Sequence, residues 1–166
     1  MSIERLWAPW RMDFIRNSDD QDGCFLCKAA SEKGKDRENG VVRRGCLCFA
    51  ILNRYPYNNG HLLLCPVRHV AGLEDLTADE RAELMAMVVD AKLALDRVVG
   101  AHGYNIGANL GRAAGAGLED HFHLHLVPRW SGDVNFMTSV GSTKVIPQAL
   151  DEMWELLSEE WNRADA

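Results

Sequence analysis

The sequence lacks long hydrophobic runs, an excess of basic residues and an even number of cysteines. Its longest apolar runs, such as residues 84–89, are about one third of the length that a membrane-spanning helix needs. The 166 residues carry 24 acidic and 18 basic side chains, a formal net charge of −6. That sign is opposite to the one expected of a general nucleic-acid-binding surface. We therefore expect no membrane or nucleic-acid partner, so any anionic ligand must be held by local geometry.

The cysteine content and the first residues favour a reduced compartment. Five cysteines cannot all pair within the chain, and a domain of this length does not need disulfides to build a core. Glu4 and Arg5 stand within the first five residues and no apolar segment follows, unlike a secretory signal. A hydrophobic content of 47% is typical of globular proteins and excludes general disorder. The sequence predicts a single cytoplasmic globular domain.

Short apolar segments separated by turn residues predict an antiparallel sheet. Residues 46–52 and 61–65 flank a segment rich in Pro, Asn and Gly, which is typical of a hairpin. Residues 104–110 and 122–127 flank a glycine-rich loop in the same way. We expect each pair to form two antiparallel strands.

Two helices complete the expected fold. Thr77 and Glu80 form a capping-box pattern, and apolar residues then recur at spacings of three and four up to a stop at Gly100. A C-terminal helix is expected to start near Pro147, since proline suits the first turn. Its predicted apolar face contains Leu150, Trp154, Leu157 and Trp161. This order predicts an α+β fold, with one long helix and a C-terminal helix packed on an antiparallel sheet.

Three of the six histidines alternate with apolar residues in one segment. The period of a strand places His121, His123 and His125 on one face and the apolar residues on the other. Three explanations are open: histidines with structural hydrogen bonds only, a three-histidine metal site, or phosphorus chemistry with one imidazole as nucleophile. The preceding loop, from Gly111 to Gly117, favours the third, because backbone N–H groups of such a loop can approach a phosphate closely.

A second cluster of potential ligands stands near the N-terminus. Cys24 and Cys27 have the two-residue spacing of a zinc knuckle. A redox pair and two unliganded thiols are the alternatives, although no βαβ pattern surrounds the pair as in redox motifs. Cys46, Cys48 and Cys65 lie in apolar segments and are expected to be small buried side chains.

The histidine segment resembles the signature of the histidine triad (HIT) family. In this sequence His-Phe-His-Leu-His is followed by the apolar pair Leu126 and Val127, as in that signature. Residues 52–66 are similar to the family's first nucleotide-binding hairpin, and the two matches together span residues 41–129. Residues 6–12 and 128–136 resemble the bacterial branch related to diadenosine tetraphosphate phosphorylases.

The resemblance implies a division of the chain around a HIT-like fold. Residues 1–40 would form an N-terminal arm with the Cys-x-x-Cys segment, residues 41–130 the HIT core, and residues 131–166 a C-terminal extension. The three parts would make a single folded unit. The family also implies a homodimer, for which periodicity gives no separate indication.

The resemblance further implies a reaction mechanism. His123 would attack the α-phosphorus of a nucleotide and form a nucleotidyl-histidine intermediate, while His125 would hydrogen-bond the phosphate and assist the leaving group. Asn53 matches the position that contacts ribose, and Asn109 matches the amide that donates to the α-phosphate. Leu52 would help to wall the base.

Family members with the cysteine pair complete a metal site with two histidines. The corresponding residues here are His69 and the first histidine of the triad. The resemblance therefore implies a closed, structural Zn²⁺ site made of Cys24, Cys27, His69 and His121.

One departure from the family bears on the reaction. Hydrolytic branches usually have Gln-Ser or Gln-Thr where this sequence has Gly117 and Leu118, so a hydroxyl that assists the leaving group is missing. The phosphorylase-like branch lacks it as well. The favoured function is therefore nucleotidyl transfer or hydrolysis on adenine dinucleoside polyphosphates. A hydrolase of nucleoside phosphoramidates or other AMP conjugates, and a non-catalytic zinc-stabilised nucleotide-binding protein, remain the alternatives.

Overall fold

The structure is a computed structural model that describes residues 23–133 and 148–164. Its strands are β1 (Val41–Arg44), β2 (Cys48–Leu52), β3 (Leu62–Pro66), β4 (Gly103–Gly107) and β5 (Leu124–Arg129). Its helices are α1 (Phe25–Ser31), α2 (Asp36–Asn39), α3 (Ala78–Val99) and α4 (Leu150–Ala164). The predicted α+β fold is confirmed. Among the described residues, no helix has the length and apolar character needed to cross a membrane.

The strands form one antiparallel sheet in the order β1-β2-β3-β5-β4. The predicted pairing of β2 with β3 and of β4 with β5 is confirmed, with bounds shifted by a few residues. The start of β5 affects the histidine segment, because the strand begins at Leu124 and not at Phe122 as predicted. Of the sequence features named above, residues 6–12, residues 134–136 and Pro147 lie outside the described residues.

Alternating side chains of β2 and β3 build two cores on opposite faces of the sheet. On one face, Ala50 of β2 and Leu64 of β3 pack with apolar residues of α3 and α4. On the other face, Phe49 of β2 and Leu63 of β3 pack against α1, whose Leu26 is fully buried. The sheet is therefore covered by long helices on one side and by the N-terminal helix on the other, as a period of two requires.

Helix α3 begins and ends as its sequence predicts. The Thr77 hydroxyl accepts a hydrogen bond from the N–H of Glu80 at 3.1 Å, and the Glu80 carboxylate accepts one from the N–H of Thr77 at 2.8 Å. Gly100 ends the helix with φ +56°, a left-handed conformation that favours glycine. The helix packs its predicted apolar face into the core.

Helix α4 departs from its predicted face by one residue. Leu157 and Trp161 are buried as expected, but Leu150 is 37% exposed and Met153 is buried in its place. Leu150 is the first residue of the helix, and the buried face of the helix begins at Met153. Trp154 is half-buried, and its indole N–H donates to the carbonyl oxygen of Val41 at 2.7 Å.

One of the three cysteines expected in the core is exposed. Cys48 and Cys65 are buried in β2 and β3, and burial raises the pKa of the Cys48 thiol to about 12. The prediction for Cys46 is wrong, because this residue lies in the connection before β2 and is exposed. The apolar run of the sequence is longer than the strand that it forms.

Candidate active site

The histidine segment brings two of its three rings together and turns the third away. Only His125 lies within β5, while His121 and His123 precede it. Phe122 and Leu126 still point into the helix-side core, so the alternation extends beyond the strand. The rings of His123 and His125 meet edge to face with centroids 5.0 Å apart. His123 and His125 form one pair of neighbouring rings, and His121 faces the cysteines.

His123 is held with a defined proton arrangement. Its Nδ1–H donates to the carbonyl oxygen of His121 at 2.9 Å, which leaves the lone pair on Nε2 in the neutral ring. The side chain is only 8% exposed, and this burial lowers the pKa of His123. The ring is therefore neutral near pH 7, and Nε2 can act as a nucleophile.

His125 has the opposite proton arrangement because of a fourth histidine. The backbone N–H of Tyr57 donates to Nδ1 of His61 at 3.0 Å, so the proton of neutral His61 is on Nε2. That N–H donates to Nδ1 of His125 at 3.0 Å. The His125 proton is therefore on Nε2, which is buried without a hydrogen-bond partner in the described structure. Burial, and secondly the neighbouring His123, lower the pKa of His125 to about 4.

His61 is a buried member of this histidine group that the sequence pattern did not point to. It is fully buried. Leu63 pairs with His125 across β3 and β5, and His61 shares the face of Leu63 two residues away. A diagonal cross-strand contact follows from this register. The two-residue alternation along β3 would have placed His61 beside His125, but only with knowledge of the register between β3 and β5.

The aromatic ring of Tyr57 lies next to the rings of His61 and His125. Its centroid is 4.7 Å from that of His61 and 5.7 Å from that of His125, with the Tyr57 and His125 planes 25° apart. The Tyr57 side chain is 45% exposed. It therefore separates the two imidazoles from part of the solvent.

The glycine-rich loop between β4 and β5 has backbone conformations that favour glycine. Gly111 has φ +76° and Gly115 has φ +84°, and the residues between them form one 3-10 turn. Gly111 and Gly117 are exposed and Asn109 is half-buried. A Cβ atom on Gly111 would meet no atom within 4 Å. The conformation thus requires glycine at 111, and the backbone there is open to a ligand.

The structure places Leu52 and Asn53, both predicted to bind nucleotide, in different surroundings. Leu52 is 6% exposed and packs in the helix-side core, the face opposite to His125. Asn53 follows β2, and its side-chain amide donates to Nδ1 of His61 at 3.2 Å. Its Oδ1 accepts from the N–H of Tyr55 at 3.0 Å. Asn53 is therefore joined to the histidine pair, and Leu52 is not.

The Cys-x-x-Cys segment lies against two histidines and could hold a metal ion. The ligand atoms of Cys24, Cys27, His69 and His121 all lie within 4.8 Å of one another. Cys27 Sγ is 3.1 Å from Nδ1 of His69, and Cys24 Sγ is 3.2 Å from Nδ1 of His121. A tetrahedral ion with zinc-like bond lengths separates sulfur and nitrogen ligands by about 3.6 Å. Small shifts of these side chains would therefore admit the ion.

The surroundings of the cluster suit a metal as well. Nε2–H of His121 donates to the carbonyl oxygen of Pro66 at 2.9 Å, which directs the Nδ1 lone pair at the sulfurs. Burial lowers the pKa of His121, so the ring stays neutral. Burial, and secondly the neighbouring Cys24 thiol, raise the pKa of Cys27 to about 11. An ion would be needed to deprotonate that thiol at neutral pH.

Comparison with known proteins identifies a matching family and several relatives. The model of the HIT domain matches residues 35–132. The chain is 45% identical over 167 residues to the AP-4-A phosphorylase of Mycobacterium tuberculosis, covering 97% of this chain and 86% of that protein. It is 36% identical over 93 residues to the asymmetrical bis(5'-nucleosyl)-tetraphosphatase of Schizosaccharomyces pombe, which covers 56% of this chain and 50% of that protein.

The solved structures agree with these sequence matches. A Zn-bound histidine triad family protein from Mycobacterium smegmatis superimposes with a TM-score of 0.69 at 27% identity, covering 86% of this chain and 96% of that one. The family model spans more than half of the chain, and the triad geometry lies within the matched residues. The chain belongs to the HIT domain family.

Proposed function

We propose that the protein transfers a nucleotidyl group from dinucleoside polyphosphates such as diadenosine tetraphosphate, with His123 as the nucleophile. The observation that carries this proposal is the Nδ1–H bond from His123 to the carbonyl oxygen of His121 at 2.9 Å. It leaves an Nε2 lone pair on a neutral ring for attack on phosphorus. The 45% identity to an AP-4-A phosphorylase supports the substrate class.

The first step forms one bond and breaks one. Nε2 of His123 attacks the α-phosphorus, and the bond from that phosphorus to the bridging oxygen breaks, releasing ATP from diadenosine tetraphosphate. The Nε2–H of His125, buried without a partner in the described structure, donates to the departing phosphate oxygen. In the second step an oxygen of inorganic phosphate attacks the adenylyl-histidine, which yields ADP and restores His123.

The remaining predicted residues are assigned to substrate binding. The N–H groups of the loop from Gly111 to Gly117, together with the Asn109 amide, would donate to phosphate oxygens. The second lone pair of Asn53 Oδ1 would accept from a ribose hydroxyl. Leu52 is proposed to support the end of the hairpin against which the base lies, since its own side chain is buried.

Product analysis tests the reaction. Diadenosine tetraphosphate is incubated with the protein, with and without inorganic phosphate, and the nucleotides are separated by chromatography. ADP plus ATP in phosphate is the expected result. AMP plus ATP in both conditions would assign water as the acceptor, and bound nucleotide without turnover would refute catalysis.

A matched pair of substitutions tests the nucleophile. His123→Ala should reduce turnover by about a thousandfold or more and abolish acid-labile labelling by substrate. His102→Ala is the control, because His102 is exposed and its Nδ1 accepts a hydrogen bond from the backbone N–H of Ser131 at 3.0 Å, away from the histidine pair. Full activity of His123→Ala would overturn the mechanism.

We also propose that the metal is Zn²⁺ with a structural role. Two thiolates and two imidazoles, Cys24, Cys27, His69 and His121, form a closed set for tetrahedral zinc, with no position left for substrate. When bound, the ion would neutralise the two thiolates and join the N-terminal helix to the residue whose carbonyl oxygen holds His123. Cytoplasmic localisation is proposed on the same ground, because all five cysteines are free and ligand thiols must stay reduced.

We propose that the protein forms a homodimer and that its three segments make one folded unit. Strand β4 ends the described sheet, and Ile106 on it is 53% exposed. On the long helix, Met85, Val89 and Leu93 form an exposed apolar stripe at spacings of four. Light scattering should give twice the monomer mass for the wild type. It should give the monomer mass for Val89→Glu, and a monomeric wild type would refute the dimer.

A further inference from the structure

The side chain of Asn53 has a fixed orientation at the end of the β2–β3 hairpin. Its backbone N–H donates to the carbonyl oxygen of His61 at 2.9 Å, so the two residues face each other. The backbone N–H of Tyr55 lies 3.0 Å from Oδ1 of Asn53. Because a backbone N–H can only donate, this contact identifies the side-chain oxygen. The amide nitrogen of Asn53 must then face His61.

Nδ1 of His61 consequently faces two groups that donate and do not accept. They are the amide nitrogen of Asn53 at 3.2 Å and the backbone N–H of Tyr57 at 3.0 Å. A proton on Nδ1 would clash with both, so neutral His61 carries its proton on Nε2. The Nε2–H of His61 then donates to Nδ1 of His125 at 3.0 Å. Nδ1 of His125 is therefore unprotonated, and the His125 proton is on its buried Nε2.

We propose that Asn53 is a positioning residue that acts through His61 to hold His125 as an Nε2–H donor. This gives Asn53 a second task, separate from any contact with ribose. The proposal depends on the proposed function only for the acceptor of that proton, the leaving phosphate oxygen. The proton arrangement itself depends on the contacts of Asn53, Tyr57, His61 and His125.

The substitution Asn53→Asp tests the arrangement because it changes the polarity of one group and little of its shape. A carboxylate cannot donate to Nδ1 of His61 and attracts a proton there instead. His61 is fully buried, which disfavours a charged ring. A proton on Nδ1 would form a charge-assisted hydrogen bond to the new carboxylate, which is about twice as strong as a neutral one. This bond outweighs the opposing backbone N–H of Tyr57 at 3.0 Å, so neutral His61 would carry its proton on Nδ1. His125 would then donate from Nδ1 and present a lone pair on Nε2. The site would lose its donor to the leaving group.

The deciding measurement is the protonation of the ring nitrogens by ¹⁵N–¹H NMR at pH 8, on the full-length, zinc-loaded protein. The wild type should show Nε2–H for both His61 and His125. Asn53→Asp should move the His61 proton to Nδ1. With diadenosine tetraphosphate and phosphate, kcat should fall about 100- to 1,000-fold, as for the loss of one transition-state donor, with KM changed less than about threefold.

Asn59→Asp is the matched control for added negative charge on the same turn. Its amide nitrogen donates to Gln148 at 3.2 Å, away from the histidines. This variant should keep both wild-type ring arrangements and the wild-type kcat. A loss of kcat in Asn59→Asp equal to that in Asn53→Asp would overturn the proposal.

Three further results would overturn the proposal. One is a wild-type spectrum with the His61 proton on Nδ1, which decides the matter even where Asn53→Asp does not fold. Another is Asn53→Asp with Nδ1 of His61 still unprotonated. A higher KM with unchanged kcat and ring protonation would restrict Asn53 to binding ribose. If the wild type turned over no dinucleoside polyphosphate, the proposed function would fail while the spectra still decided the role of Asn53.

Discussion

Replacing Cys27 by serine should release the metal and destabilise the fold. Cys27 Sγ lies 3.1 Å from Nδ1 of His69 and 3.4 Å from Nδ1 of His121, so its loss removes one of four ligands at the centre of the cluster. Serine keeps the shape but its hydroxyl does not replace a thiolate as a zinc ligand. We expect less than a tenth of an equivalent of zinc in Cys27→Ser after dialysis.

The expected loss of stability follows from linkage. A metal present at about a thousand times its Kd stabilises the folded state by about 4 kcal/mol. For a domain of this length, each kcal/mol corresponds to about 2–4 °C in Tm. Cys27→Ser should therefore unfold about 8–16 °C below the wild type in zinc-buffered solution. It should not respond to a chelator, which should lower the wild-type Tm by a similar amount.

Cys46→Ser is the control for this experiment. It makes the same chemical change at an exposed thiol outside the four-ligand cluster, and should keep the wild-type zinc content and Tm. Elemental analysis and thermal denaturation by circular dichroism measure both quantities. One equivalent of zinc in Cys27→Ser together with the Tm of Cys46→Ser would refute the metal site. A wild-type Tm that is unchanged in chelator would refute its structural role.

Three further predictions concern pH and packing. Burial, and secondly His123, lower the pKa of His125 to about 4. The contribution of neutral His125 to the unfolding free energy should therefore be complete above about pH 6.5 and be lost towards pH 4, by at most about 3 kcal/mol. Urea titrations should show a weaker fall for His125→Asn, and equal slopes would contradict this. The buried Glu80 carboxylate binds the Arg68 guanidinium through two contacts of 2.7 Å, so Glu80→Gln should lower the unfolding free energy by about 2 kcal/mol; no loss in urea would count against the pair. Gly60→Ala should cost about 2 kcal/mol in the same assay, because φ is +70° and a Cβ would stand 2.8 Å from the side chain of Leu95; wild-type stability would disprove that conflict.

Features that depend on local periodicity were predicted from the sequence. The cap at Thr77 and the stop at Gly100 need only neighbouring residues, and both are confirmed. The alternation of Phe122 and Leu126 with the histidines likewise follows from the geometry of an extended chain. These features were predictable because the interactions that decide them lie within a few residues of one another.

Features that depend on register or on strand ends were not predicted. Cys46 belongs to an apolar run, but the strand begins two residues later, and the run alone does not mark that boundary. His61 contacts His125 across 64 residues of sequence, and a shift of one residue in β3 would turn it to the other face. The relation between the two histidines is therefore a property of the β3–β5 pairing.

His123 and His125 are held in place by different parts of the structure. His125 is held by the sheet, since it pairs with Leu63. His123 precedes the strand, where β3–β5 pairing ends at Leu124, and it depends on the carbonyl oxygen of His121. His121 is fixed by Pro66 and by its contacts with the two thiols.

Both thiols stand before residue 35, where the match to the HIT domain begins. The matched domain alone therefore does not contain every group that positions His123, the proposed nucleophile. The N-terminal helix carries Cys27, and Cys24 caps it, so the segment outside the matched domain contributes directly to the orientation of His123. A chain that lacks residues 1–34 would keep the strands of the sheet and the His61–His125 pair. It would lose the two thiols that contact His121. We therefore expect turnover to fall in a chain that still forms the sheet.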